Sequence, residues 1–169
     1  TTAVDNVIIG SGAAAASTTV GKSVIIGKGA VGTGTTLTAA AGSVAIGAGA
    51  AAALTIGTGT TVVGYQAGAA LTEGLGNVAV GYQALDAAVL SDNNTAIGHK
   101  ALSALNSNNA TGNNTALGYQ AGLILQHATT AVDNVIIGSG AAAASTTVGE
   151  SVIIGKGAVG TGTTLTAAA

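Results

Sequence analysis

The chain has no Cys, Pro, Met, Trp or Phe and no Arg, and three Tyr are its only Phe, Trp or Tyr residues. Without cysteine there are no disulfides and no thiolate metal sites, although the compartment is left open, because extracellular repeat proteins are often held by ladders instead. Without bulky anchors a conventional globular core has nothing to fill it. Charged residues make up 6% and the net charge is -2, with four Lys. Such a chain has no basic stripe to neutralise phosphates, so nucleic acid is not an expected partner. No apolar run is long enough to span a membrane. Thr1 opens a stretch with neither a basic n-region nor an apolar h-region, so any export signal or anchor is expected outside these residues.

What is present is repetitive. The 28 Gly and the 48% hydrophobic fraction, nearly all Ala, Val, Ile and Leu, call for small side chains packed in register. Residues 1–41 recur at 129–169 with one change, Lys22 becoming Glu150, which gives a period of 128 residues. A shorter repeat runs inside it, an aliphatic residue followed by Gly at Gly10, Gly27, Gly47, Gly64, Gly81, Gly98, Gly118, Gly138 and Gly155. The spacings are 17 or 20 residues, and seven of them fill the long period. A continuous stack of coils requires such a whole number. The reading is one seven-rung block over 1–128 and the start of a second over 129–169.

Aligned on the anchor glycine, each position shows its own demand. Four residues before it stands a short polar residue in all nine copies, of the type that hydrogen-bonds backbone at turns: Asn6, Ser23, Ser43, Thr60, Asn77, Asn94, Asn114, Asn134 and Ser151. Val or Thr lies three before and Ile, Val or Leu one before, and the period of two makes them one face of a strand, expected to be the inner face. The residue between them, Ile8, Ile25, Ala45, Val62, Ala79, Ala96, Ala116, Ile136 or Ile153, is then the outer face. It too is apolar, so a second, identical chain is expected to cover it. Ala stands three after the glycine in every copy, where only a methyl is expected to fit. The glycine is expected to form a corner. The variable stretches beyond are expected to hold a return strand and outer loops.

The segments NVIIGSGA, SVIIGKGA, SVAIGAGA and NVAVGYQA resemble the head repeats of trimeric autotransporter adhesins, the YadA-like β-roll. NNTAIGHKAL and NNTALGYQAG are also similar to repeats of phage tail fibres and other trimeric bacterial surface fibres. The resemblance covers essentially the whole chain. It implies an all-β, left-handed parallel β-solenoid with 17 to 20 residue rungs, packed as a homotrimer, on a cell surface, outside the cell or on a virion. The rungs are longer than the compact adhesin head repeat, and these 169 residues contain no neck motif, heptad stalk or membrane anchor of that family, which would be expected elsewhere. The near-exact duplication favours a filament shaft, with adhesion to host, surface or neighbouring cells as a further expected role, over a single receptor-binding head. The alternative is a phage tail fibre or receptor-binding shaft.

No catalytic, cofactor or metal residues are expected. His99 and His127 stand alone, the carboxylates Asp5, Glu73, Asp86, Asp92, Asp133 and Glu150 are scattered, and no nucleophile, base and orienter recur together. The residues after the glycine in the middle rungs are Tyr65, Tyr82, His99 and Tyr119, followed by Gln66, Gln83, Lys100 and Gln120. Stacked rungs make these a side-chain ladder, either packed only on itself or facing a glycan or protein ligand. Three sequons, at Asn93, Asn109 and Asn113, are read as turn residues without sugar. A third functional class, ice binding, is suggested by Thr33 to Thr38 and Thr58 to Thr61, but a Thr-x-Thr array does not recur on every rung. His127 is read as a loop histidine rather than an axial metal or anion ligand.

Overall fold

A computed structural model of the chain describes residues 5–17, 20–32, 41–105, 112–125, 131–145 and 148–159. Nine three-residue strands mark the rungs: β1 (Val7–Ile9), β2 (Val24–Ile26), β3 (Val44–Ile46), β4 (Thr61–Val63), β5 (Val78–Val80), β6 (Thr95–Ile97), β7 (Thr115–Leu117), β8 (Val135–Ile137) and β9 (Val152–Ile154). They form one parallel sheet in strict chain order. Parallel neighbours need a crossover, and here each crossover is one coil of the chain, with no helix among the described residues, which makes the fold a β-solenoid. Register is identical across 17- and 20-residue rungs: Val7 pairs with Val24, and Val24 with Val44. The three extra residues are therefore absorbed away from the strands.

Each strand ends at an anchor glycine with φ between 128° and 139°. A Cβ on any of the first eight would come within 3.0 Å of the next rung's glycine carbonyl, so both the conformation and the close approach demand Gly there. Two tight turns follow. The alanine three residues on donates its N–H to the glycine carbonyl, as Ala84 does to Gly81 at 3.4 Å, with the residue between at positive φ, as in a type II turn. A second turn begins one residue later, where Leu71 N–H reaches Gly68 O at 3.1 Å. No return strand is found among the described residues, contrary to the expectation above; beyond the turns they show only single bridge residues such as Ile56 and Asp92.

Positive φ recurs at fixed places even without glycine, as at Gln83 (51°), Leu85 (55°) and Asn93 (57°). Such residues sit in a region that costs L side chains energy. They are held because rung-to-rung bonds continue round the corner: Gln83 N–H donates to Tyr65 O at 2.9 Å and Leu85 N–H to Ala101 O at 3.0 Å. An interior stack thus leaves few backbone groups orphaned at its corners.

The two faces of the strands are the reverse of the sequence expectation. Ile25, Ala45, Val62, Ala79, Ala96, Ala116, Ile136 and Ile153, the middle residues, are buried at 3% exposure or less and point into the coil. The first and third residues face outward; Val7, Ile9, Ile97, Leu117, Val152 and Ile154 are exposed and the others half-buried or exposed. The physical reason lies in the coil's narrow interior. Middle positions face Leu54, Leu71, Leu85, Leu102, Leu105 and Leu125 from the turns, all buried, so a small residue is often needed opposite them. Where one position grows another shrinks. Gly122 has no side chain because Leu102 Cδ2 and Ile136 Cδ1, from the rungs on either side, fill its space. Ile8, once expected to meet a partner chain, shares the inward column and is exposed only because β1 is the first described rung.

The polar residues four before each glycine share the inward parity and form a buried ladder. Asn94 Nδ2 donates to Asn77 Oδ1 at 3.2 Å, Asn114 to Asn94 at 3.1 Å and Asn134 to Asn114 at 2.8 Å. Each Oδ1 also accepts the next rung's backbone N–H at 2.9 to 3.2 Å, and Nδ2 donates to a carbonyl such as Ala131 O or Val148 O. Ser43 and Thr60 do the same on a smaller scale, donating to Gly57 O and Gly74 O. Every bond is worth only about 0.5 to 1.5 kcal/mol net, but an unpartnered amide inside would cost more. The ladder therefore enforces register as much as stability.

Candidate functional site

The positive-φ glycine turns the chain so that the next side chain points away from the core. In rungs four to seven that side chain is a ring. Tyr65 and Tyr82 stack with centroids 5.4 Å apart at 12°, Tyr82 and His99 at 5.0 Å and 9°, and His99 and Tyr119 at 5.2 Å and 19°. Spacings close to the rung repeat of about 4.8 Å show that backbone register sets the stack. The rings are exposed, with Tyr65 at 50% and Tyr119 at 51%. Their edges face outward while each inner ring spends both faces on its neighbours. Only Tyr65 and Tyr119 keep one face not taken by another ring of the stack.

The residues alongside, Gln66, Gln83, Lys100 and Gln120, all adopt positive φ, between 51° and 55°, and are half-buried. Gln83 Nε2 donates to Gln66 Oε1 at 3.0 Å, which leaves the Gln66 amide nitrogen as a donor. A groove of about 390 Å³ opens on the free face of Tyr65. It exists because the third rung carries Ala48, Gly49 and Ala52 where the fourth carries Tyr65, Gln66 and Ala69, and because the second rung closes it with Lys28. Among the described residues, no acidic side chain lines it. From sequence the ladder was visible but the groove was not. Its signal was the order Lys28, Ala48, Tyr65 at equivalent positions of consecutive rungs.

Other sequence candidates are placed as follows. Asn93 and Asn113 occupy exposed positive-φ turns at 57° and 49°, and Asn113 Nδ2 donates to Asp133 Oδ1 at 3.0 Å. Asn109, Thr33 to Thr38 and His127 lie outside the described residues. Thr60 is buried in the inner ladder, and the outward first position of the strands is Thr in only β4, β6 and β7. No three His, Asp or Glu side chains converge among the described residues. Nor is any helix there long and apolar enough to cross a membrane. Comparison with known protein families, curated proteins and solved structures finds no match.

Proposed function

We propose that this chain is a structural segment of an extracellular or surface fibre, not an enzyme, in which identical solenoids associate in threes. The reading is carried by the outward face of the nine-strand sheet, a continuous strip of Val, Ile, Leu and Thr along the whole stack with no charged residue in any strand. A β face of this kind is normally covered. A second copy is the simplest cover, since every rung offers the same strip and a symmetric ring of three buries it on itself. The likeness to trimeric adhesin and fibre repeats supports the number three and a left-handed coil. Adhesion to host, surface or neighbouring cells fits the exposed aromatic ladder.

Each seven-rung block adds about 34 Å at about 4.8 Å per rung, so block number sets fibre length. Sedimentation of the purified chain should give three times the monomer mass, and imaging should show thin straight rods with the strand spacing along the axis. A folded, soluble monomer sinks the oligomer. A phage tail-fibre shaft shares every one of these features and is separated only by finding the native particle. An ice-binding role is disfavoured by the sparse Thr on the outward face, and absence of thermal hysteresis would confirm that.

A further inference from the structure

We infer that the groove at Tyr65 binds one ring of a linear acidic polysaccharide, a uronate, by extending the aromatic stack by one rung. The inference deepens the adhesive side of the fibre reading, while the site itself is complete within one chain. Its geometry comes from an interrupted ladder. At the position after each anchor glycine, successive rungs carry Lys28, Ala48 and Tyr65, and groove walls come from all three rungs. The methyl of Ala48 leaves vacant the level that a ring would occupy if the stack continued. A flat ring there meets the free face of Tyr65 much as Tyr82 meets its other face at 5.4 Å.

The polar groups say which ring. A pyranose offers C–H bonds to the tyrosine face and hydroxyls at its rim, and the Gln66 amide nitrogen is a donor at that rim. Lys28 is exposed on the second rung, and with no carboxylate in the lining the groove favours a ring bearing a negative charge. Carboxylate toward Lys28 and the C–H face toward Tyr65 describe a uronate.

The far end of the stack has the same order in mirror sense. Tyr119 is followed at equivalent positions by Ser139 and then Lys156, both exposed. Two stations on one edge, five rungs or about 24 Å apart, reward a polymer that engages both over any single sugar. In a longer array of blocks the stations repeat.

The test uses the chain as it stands, with oligogalacturonates of one, three and ten residues and neutral gluco-oligosaccharides of the same lengths as probes. Binding is followed by calorimetry and by tyrosine emission, which no Trp obscures. The ten-residue uronate should bind at least ten times more tightly than the monomer and than the neutral decamer. Ala48→Tyr, which continues the stack into the groove, should weaken binding at this station about tenfold while the ladder stays folded. Lys28→Gln together with Lys156→Gln should erase the preference for uronate and most of the salt dependence. Equal binding of neutral and acidic oligomers, or full affinity in Ala48→Tyr with an intact circular dichroism spectrum, overturns the proposal. Sedimentation of the same samples separates the two readings: a monomer that binds sinks the trimer alone, and a trimer that does not bind sinks the site alone.

Discussion

The inward and outward columns of the sheet carry similar side chains in opposite surroundings. Ile136 is fully buried, whereas Ile137, one residue on, is half-exposed on the outer strip. The same contrast runs through eight rungs, from Ile25 and Ile26 to Ile153 and Ile154. Inside, space is rationed by facing leucines and by the asparagine ladder, so residue size varies in compensation from Ala to Ile. Outside, nothing in the chain limits size, and β-branched residues dominate. Shape complementarity therefore constrains the inner column, and the outer one is the face that the proposed assembly would cover.

The sharpest way to break this comparison is one charge placed on either side. Ile136→Asp puts a carboxylate where no water reaches and should cost more than about 4 kcal/mol, unfolding the rungs around β8. Loss of cooperative melting, seen by circular dichroism, is the expected result. A variant that melts within a few degrees of the parent would mean that the inward column is misassigned.

The second pair compares two alanines in one rung. Ala84 is fully buried beneath the corner, and Ala87, three residues on, is exposed. Leucine at 84 should overpack the coil and cost about 1 to 3 kcal/mol, whereas leucine at 87 should change stability by less than about 0.5 kcal/mol. Equal losses in thermal melts would refute the rung register.

How much of this was legible beforehand depends on which physical quantity carried the signal. Rung length, the corner glycine and the small buried site after it were readable because each recurs at a fixed offset in nine copies, and Gly81, for one, combines a φ of 136° with the Gly98 carbonyl oxygen within 3.0 Å of where a Cβ would stand. Strand parity was not, because a period of two divides residues into two sets without saying which is inside. Two clues pointed the right way. Alanine fills the middle position in β3, β5, β6 and β7, too small for an outward face seeking contact, and Asn77, Asn94, Asn114 and Asn134 share its parity. Reading those amides only as turn residues bonded to backbone hid the inner ladder. The groove at Tyr65 was illegible for another reason: it is an absence, created by Ala48 and Gly49 between larger neighbours.

On the outward column the effect on the single chain should be smaller and the effect on assembly larger. Ile137→Asp costs about 1 kcal/mol as a poorer strand former, yet it sets one carboxylate from each chain into the proposed interface. Sedimentation should show a folded monomer for the variant against the trimer proposed for the parent. Retention of the full trimer mass would move the interface off this strip.

The smallest effect concerns the one position at which the two long repeats differ. Lys22 and Glu150 occupy the same corner, both exposed and both at positive φ, 54° and 50°, so exchanging them alters charge without altering backbone demand. Their neighbours one rung earlier are Asp5 and Asp133, also exposed. The first copy thus sets opposite charges side by side and the second sets like charges, at a rung spacing of about 4.8 Å. Exposed pairs at such a distance are worth about 0.2 to 1 kcal/mol and are screened by salt. Glu150→Lys should accordingly raise the melting temperature slightly at low ionic strength, and Lys22→Glu should lower it by a similar amount. Both differences should vanish near 1 M salt, where the screening length is about 3 Å. A shift that persists there would show that the residue acts through packing or backbone strain, and the corner would then belong with the constrained interior instead of the permissive surface.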